Sequence, residues 1–461
     1  MEVPAGARVL QAEGMFVMPG GIDPHTHLDM PFMGQRTCDD FESGHHAALA
    51  GGTTMHIDFA LPVDGDLEAG FDLWLRKAQK GVMDFGLHVA VTHWDARVAA
   101  QMSRLVSRGV NSFKFFMAYK GSLMVSDAEL LSGFHRCREV GALAQVHAEN
   151  GEAVAHLQAQ VFGSGISGPE GHALSRPSLL EAEATTRAIA LAALVPTPLY
   201  VVHVMARGAA EAIARARTEG QRVVGEAVLS GFALDESRLW DLDFARAAAA
   251  VMSPPIRSRE EGQAVKRALA GGILGPLGTD HAVFNSTQKA AGREDFRRIP
   301  NGVNGIEERL NVAWTELVRS GAASRTQFVR ATSTAAAQVF GLYPAKGHVA
   351  AGSDADVILL DPAVEFVVSP KTHHSRLDTN VYEGRKLQGR VTTTISRGRL
   401  VWHNGRLTVP ANSARYVPMP AFPPPFDGLD ELDVWEKFKV YGSVPVDRGR
   451  EQAAHHDTSE L

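Results

Sequence analysis

Two histidines stand two residues apart in GIDPHTHLD, His25 and His27. On an extended segment that spacing sends both side chains to the same side, so they can grip one ion. Alone the pair is weak evidence, because a strand histidine is more often a hydrogen-bonded core or surface group. Three further groups add weight. His147 in QVHAEN, His203 in YVVHVM and Asp280 in LGTDHAVF each end a separate apolar run. Imidazole nitrogen and carboxylate oxygen suit zinc at about 2.0–2.2 Å, and also manganese, iron, cobalt or nickel. Five such ligands exceed the need of one catalytic zinc. A binuclear site, with ions roughly 3.5–4 Å apart, uses the surplus if an anion bridges them.

Lys114, in NSFKFFMAYK, is surrounded by Phe113, Phe115, Phe116, Met117 and Ala118. An ammonium taken from water without a partner costs several kcal/mol, about 4 or more, or loses its proton. It could be a snorkelling lysine at a strand end. It could also be chemically altered: an unmodified ammonium has donors only and would repel metal ions, whereas a desolvated free amine can add carbon dioxide. The resulting carbamate is a bidentate anion able to bridge two metals.

These residues need a scaffold that brings them together. Eight short apolar runs alternate with helical stretches from Phe16 to Phe284: FVMPGGID, TTMHIDFAL, GLHVAVTHW, SFKFFMAY, ALAQVHAE, PLYVVHVM, RVVGEAVL and GILGPLGTDH. Helices are predicted over 127–141, 179–194 and 209–220. Repeated βα units predict a parallel sheet, and eight of them a closed (β/α)8 TIM barrel. An open doubly wound sheet is the alternative, but its Gly-rich phosphate fingerprints are absent. In a barrel the six residues at the strand ends share one rim, where the active sites of this architecture lie. From about Val349 the texture changes to short strands with Gly/Asn turns. This predicts a small β-sandwich from residues 1–18 and 340–415, a barrel over 19–339, and a Pro-rich, polar arm or tail over 416–461.

Composition narrows the partners. The chain has 461 residues, 45% hydrophobic and 21% charged, with a net charge of -6, and no basic face that would suit nucleic acid or an anionic membrane. A small-molecule substrate is expected. Two cysteines without a CxxC motif argue against a disulfide framework or thiolate metal site. Without a signal-peptide pattern or a long apolar run, the expected location is cytoplasmic.

The order HxH, Lys, His, His, Asp resembles the ligand pattern of the amidohydrolase superfamily. The stretches MPGGIDPHTHL, GGTTMHIDFA, NSFKFFMAYK, AQVHAENG, GPEGH, VMSPPIR, QKAAGREDFRRIPNGVNGIEERL and GSDADVILLDP are similar to the dihydropyrimidinase and D-hydantoinase family of cyclic amidases. The resemblance runs from near residue 8 to about 425. It implies an amidohydrolase-type barrel with a β-sandwich, a homotetramer, two zinc ions per subunit, and opening of dihydrouracil and dihydrothymine rings to N-carbamoyl-β-amino acids in pyrimidine catabolism. His25, His27 and Asp280 would hold one zinc, His147 and His203 the other, and Lys114, as N6-carboxylysine, both. Tyr119 would stabilise the oxyanion. The main-chain groups at Ser253 and Asn301 would hold the ring amide, and Asp280 would carry the proton.

The same ligands serve allantoinases, D-hydantoinases and dihydroorotases, although dihydroorotases characteristically carry an arginine where this chain has Asp29. An acid there is expected to repel an anionic substrate, favouring a neutral ring. The apolar loop with Met30, Phe32 and Met33 is expected either to line the pocket or to pack in the core. Non-catalytic dihydropyrimidinase-like scaffold proteins share the fold but have lost metal ligands, all of which are present here. The family normally carries a few dozen residues before ARVLQAEGMFVM, so a truncated sandwich is also expected.

Overall fold

Each of the eight runs forms a parallel strand. The computed structural model describes residues 9–429. Its strands are β1 (Phe16–Pro19), β2 (Gly21–Thr26), β3 (Thr53–Ala60), β4 (Asp84–Val91), β5 (Ser112–Phe116), β6 (Leu143–His147), β7 (Leu199–Val204), β8 (Val223–Val228) and β9 (Leu274–Gly278). Strands β2 to β9 pair in sequence order. Helices cover their outer faces, so both sides of each strand are dry; this explains why the runs read as nearly continuous apolar stretches instead of alternating. The predicted helices fall at Asp127–Val140, Ser178–Leu194 and Arg207–Thr218. The first is framed by a capping box from Ser126 and by Gly141 at φ +70°, the standard stop for a helix.

Between β9 and β2 the barrel closes largely through side chains. Thr279 donates from its N–H and hydroxyl to Asp23, at 3.1 and 2.6 Å, and His27 N–H bonds His281 O at 2.9 Å. The irregular sequence after β8 resolves into the short helices Leu229–Ala233 and Phe244–Ala249 around a 3-10 turn.

The β-rich unit is a five-stranded antiparallel sheet drawn from both ends of the chain. β10 (Val357–Val367) pairs β1 on one side and β11 (Lys386–Ser396) on the other; β12 (Arg399–His403) and β13 (Arg406–Leu407) follow. The hairpin turns carry Arg397–Gly398 and Asn404–Gly405, all at positive φ, the two-residue geometry that suits strand twist. Leu387 and Val391 are buried on the inner face. Gly389, at φ +100°, lets Trp314 lie against β11, where a Cβ would fall 2.2 Å from its ring.

Of the predicted arm, Arg415–Tyr416 runs parallel to the start of β4, anchored by Arg415 on Asp84. Lys346 binds Asp84, Asp354 and Asp356 at 2.6, 2.9 and 2.5 Å, so this acidic cluster already holds its cation. The rest of the predicted tail, from residue 430, and the first eight residues of the predicted sandwich lie outside the described residues.

Candidate active site

At the C-terminal rim the structure brings together all six residues read from the sequence. Lys114 lies mid-strand in β5, 2% exposed, with Nζ 4.2 Å from the centre of the Phe59 ring and 3.1 Å from His25 Nε2. His25 Nε2 and His27 Nε2 each stand 3.2 Å from Asp280 Oδ1. Across the mouth, His147 Nδ1 faces His203 Nε2 at 2.8 Å. Three rim residues, Tyr119, His203 and Asp280, hold positive φ of +66°, +39° and +52°. Such backbone costs roughly 1–3 kcal/mol per residue and persists where its surroundings over-determine it.

Neighbouring carboxylates orient these rings. Glu226 on β8 accepts His25 Nδ1–H at 2.7 Å, leaving the Nε2 lone pair aimed into the site. Glu149 accepts His147 Nε2–H at 2.9 Å, leaving Nδ1 free as an acceptor. Burial holds His25 and His203 well below the usual histidine range and also lowers His147. All three are neutral near pH 7, the form in which imidazole is a ligand. Burial opposes the charge on Asp280, yet His25, His27 and Lys114 hold its carboxyl down to about 2. Burial also lowers Lys114. Of the six, His25, His27 and Asp280 place ligand atoms within 4.8 Å of one another. Lone pairs from imidazoles and a carboxylate converging in a dry space form a cation-binding donor set.

Tyr119, five residues beyond Lys114, is half-buried. Burial and Glu149 push its hydroxyl up to about 12 against bonds with Ser253 and Asn301, so it remains a donor. Asn301 Nδ2 donates to Ser253 Oγ at 3.0 Å, so these three predicted substrate contacts form one polar edge. His27, Lys114, His147, His203 and Asp280 line the cavity below it, and Met30, Phe32, Leu61 and Phe116 supply apolar wall. Met33 instead lines an outer chamber that shares Phe32, Leu61, Tyr119 and Asn301 with the inner cavity.

The expected role of Asp29 fails. Its carboxylate turns away to Arg36, at 3.0 Å, on a backbone at φ +53°, and it does not line the cavity. The inner lining has no arginine either, while Arg176 and Arg297 line the outer chamber. Sequence reading missed Glu226, Glu149 and Asp23. Each had a signal: a lone acid in the apolar run RVVGEAVL, an acid two residues after His147, and another two before His25.

A parallel (β/α)8 barrel with HxH, Lys, His, His and Asp around one mouth defines an amidohydrolase-type hydrolase. The Amidohydrolase family profile matches residues 16–401. Dihydropyrimidinase of Arabidopsis thaliana is 56% identical over 446 residues, 96% of this chain and 84% of its own. The crystal structure of dihydropyrimidinase from Brevibacillus agri superposes with a TM-score of 0.89 at 44% identity, covering 91% of this chain and 92% of that one. A D-hydantoinase from a Bacillus species matches with TM-score 0.89 at 42% identity over 90% and 92%. The chain belongs to the dihydropyrimidinase and hydantoinase family of amidohydrolases, hydrolases of cyclic amides.

Proposed function

We propose that this protein opens the rings of 5,6-dihydrouracil and dihydrothymine to N-carbamoyl-β-amino acids, a step of reductive pyrimidine catabolism. The observation that carries the reading is the inner cavity: an ionised Asp280 and the neutral His147 and His203 at its floor, an apolar wall, a polar edge of Tyr119, Ser253 and Asn301, and no arginine. A flat, uncharged ring with a saturated side and an imide edge fits those surfaces. The similar proteins named above support it.

His25, His27 and Asp280 are assigned to one zinc ion, His147 and His203 to a second, and Lys114 to both as a carbamate. The carbamate forms when the amine adds carbon dioxide and releases a proton. The converging lone pairs and the desolvated lysine support this assignment. When bound, such ions polarise a carbonyl and make hydroxide available near neutral pH.

The chain's own groups then have distinct tasks. Main-chain groups at Ser253 and Asn301 hold the ring amide. The Tyr119 hydroxyl donates to the carbonyl oxygen as it gains charge. Asp280 takes the proton from the attacking oxygen and passes it to the ring nitrogen. The new C–O bond replaces the ring C–N bond, leaving a carboxylate and a ureido group. Met30 and Phe32 face the saturated ring carbons and keep water from the rest of the site.

The proposal extends to a homotetramer in the cytoplasm. Its units are a sheet unit over 1–18 and 340–415, a barrel over 19–339 and an arm over 416–461. Among the described residues no helix is long and apolar enough to cross a membrane.

Hydrolysis of dihydrouracil, a 5-substituted hydantoin, allantoin and dihydroorotate by zinc-loaded protein, compared as kcat/KM, tests the substrate. Dihydrouracil is expected to lead. A lead for the hydantoin would reassign the chain to the D-hydantoinase activity, and a lead for allantoin to an allantoinase-like one. Preference for dihydroorotate would refute the neutral-ring argument.

A further inference from the structure

Lys289 ends the short helix Ser286–Lys289 beyond β9 and has no part in the roles assigned above. It is 3% exposed. Its Nζ donates to two main-chain carbonyls, Val251 O at 3.0 Å and Gly302 O at 2.8 Å. Burial lowers its pKa to about 7, opposed by the Cys38 thiol, and it faces His172 as well. No carboxylate forms an ion pair with it among the described residues. A buried amine without a counter-ion is costly to keep, so the position of its two acceptors matters.

Val251 precedes Ser253 by two residues, and Gly302 directly follows Asn301. The two segments touch in two other places, Gly302 N–H to Val251 O at 2.9 Å and Asn301 Nδ2 to Ser253 Oγ at 3.0 Å. Gly302 sits at φ +147°, where a Cβ would fall 2.0 Å from Ala282 O, so its main chain packs directly against Ala282. Protonated or neutral, an amine keeps at least two N–H donors, and both carbonyls can be held in either state.

We propose that Lys289 is a positioning residue for ring recognition: its amine brackets the Val251 and Gly302 carbonyls and fixes the spacing of the segments that present Ser253 and Asn301 to the cyclic amide. The inference rests on the reading that those segments face the ring. It predicts a fault in substrate binding, with metal content and proton transfer intact.

Lys289→Met keeps an unbranched side chain one atom shorter and removes its donors. With whichever cyclic amide the wild type turns over fastest, KM is expected to rise roughly tenfold or more while kcat stays within about threefold. Zinc content should match the wild type. Lys289→Gln retains donors that reach one carbonyl at most and should give an intermediate KM. It also serves as the test variant if Lys289→Met does not fold. Asn301→Ala is measured beside them. A raised KM in Asn301→Ala with an unchanged KM in the Lys289 variants would overturn the role of Lys289 alone. Asn301→Ala removes the Asn301 Nδ2–Ser253 Oγ link, so an unchanged KM in all would overturn the reading that the placement of these two segments governs ring binding, and the role of Lys289 with it. Loss of kcat and zinc together in the Lys289 variants would show a general structural defect and also overturn the proposal.

Discussion

Glu226 offers a sharp test of how the site is held. Its Oε1 accepts His25 Nδ1–H at 2.7 Å and the His203 main-chain N–H at 2.9 Å, and its Oε2 accepts the Tyr200 hydroxyl at 2.7 Å. Glu226→Ala would strand three buried donors at roughly 1–3 kcal/mol each. The total, about 3–9 kcal/mol, rivals the roughly 5–15 kcal/mol that holds a whole domain folded, so that variant is expected to unfold. Glu226→Gln is the informative change. Its amide oxygen can still receive both donors at the Oε1 position, and the Tyr200 hydroxyl can turn to accept from the new NH2. What is lost is the negative charge behind His25. Removing such an outer-shell partner typically lowers metal affinity about 10–100-fold. The assay is zinc competition against a chromophoric chelator, with the melting temperature of the metal-free protein as control. Burial raises the pKa of Glu226, opposed by the His203 N–H, Tyr200 and Lys114, so the experiment also reports its protonation. Zinc affinity within about twofold of wild type at unchanged melting temperature would refute an anionic Glu226 behind a metal-binding His25, since the effect expected is at least roughly tenfold.

Two other outcomes are expected. Tyr119→Phe removes one oxyanion donor and should lower kcat by roughly 10²–10³ at unchanged zinc content; a near-normal rate in single-turnover measurements would remove Tyr119 from that role. Acid should unfold the protein through a buried histidine chain. Val82 and Met83 N–H groups donate to His45 Nδ1 at 2.9 and 3.2 Å, so its Nε2–H faces His56 Nε2 at 2.8 Å, and His56 Nδ1–H bonds Thr26 at 2.7 Å. Burial lowers His56 to about 3 and His45 well below its ordinary value. The unfolded state binds the extra protons once pH falls below about 6.5, so this stability is complete above that pH and is lost as pH drops toward the folded values. Each histidine should cost about 1.4 kcal/mol per pH unit there. Urea unfolding of metal-free protein should therefore show at least about 2 kcal/mol less stability at pH 5.5 than at pH 7, and equal midpoints would contradict the neutral chain.

The barrel was legible because each strand, dry on both faces, is a separate apolar run, and because the polar residues ending those runs had no other place to go than the common rim. The same logic accounts for what was missed. Glu226 is as anomalous in VVGEAVL as Lys114 is in SFKFF, but a single acid does not declare that its partner lies 201 residues away on β2. Asp29 misled for the opposite reason. Its place in the HTHLD pattern suggested a side chain facing the ions, whereas the left-handed backbone at that residue turns it to Arg36. Seam closure by Asp23 and Thr279 has no periodic signature either, since it depends on two chain segments 256 residues apart.

Two of the buried lysines, Lys114 and Lys289, show why burial alone does not assign chemistry. Lys289 reaches two carbonyl oxygens, acceptors that satisfy an amine and give it no reason to change. Among the described residues Lys114 reaches one acceptor, His25 Nε2, and otherwise meets the faces of Phe59 and Phe116, with the carboxylates of Asp280 and Glu226 beyond. A donor group there lacks partners, while a cation pair in the same space would lack a bridging anion. On the proposed reading, conversion of the amine to a carbamate would remove both defects at once, replacing an under-bonded donor with two acceptor oxygens where the surrounding lone pairs call for positive charge. The difference between a structural and a reactive lysine lies in those neighbours, and they come from strands far apart in the sequence.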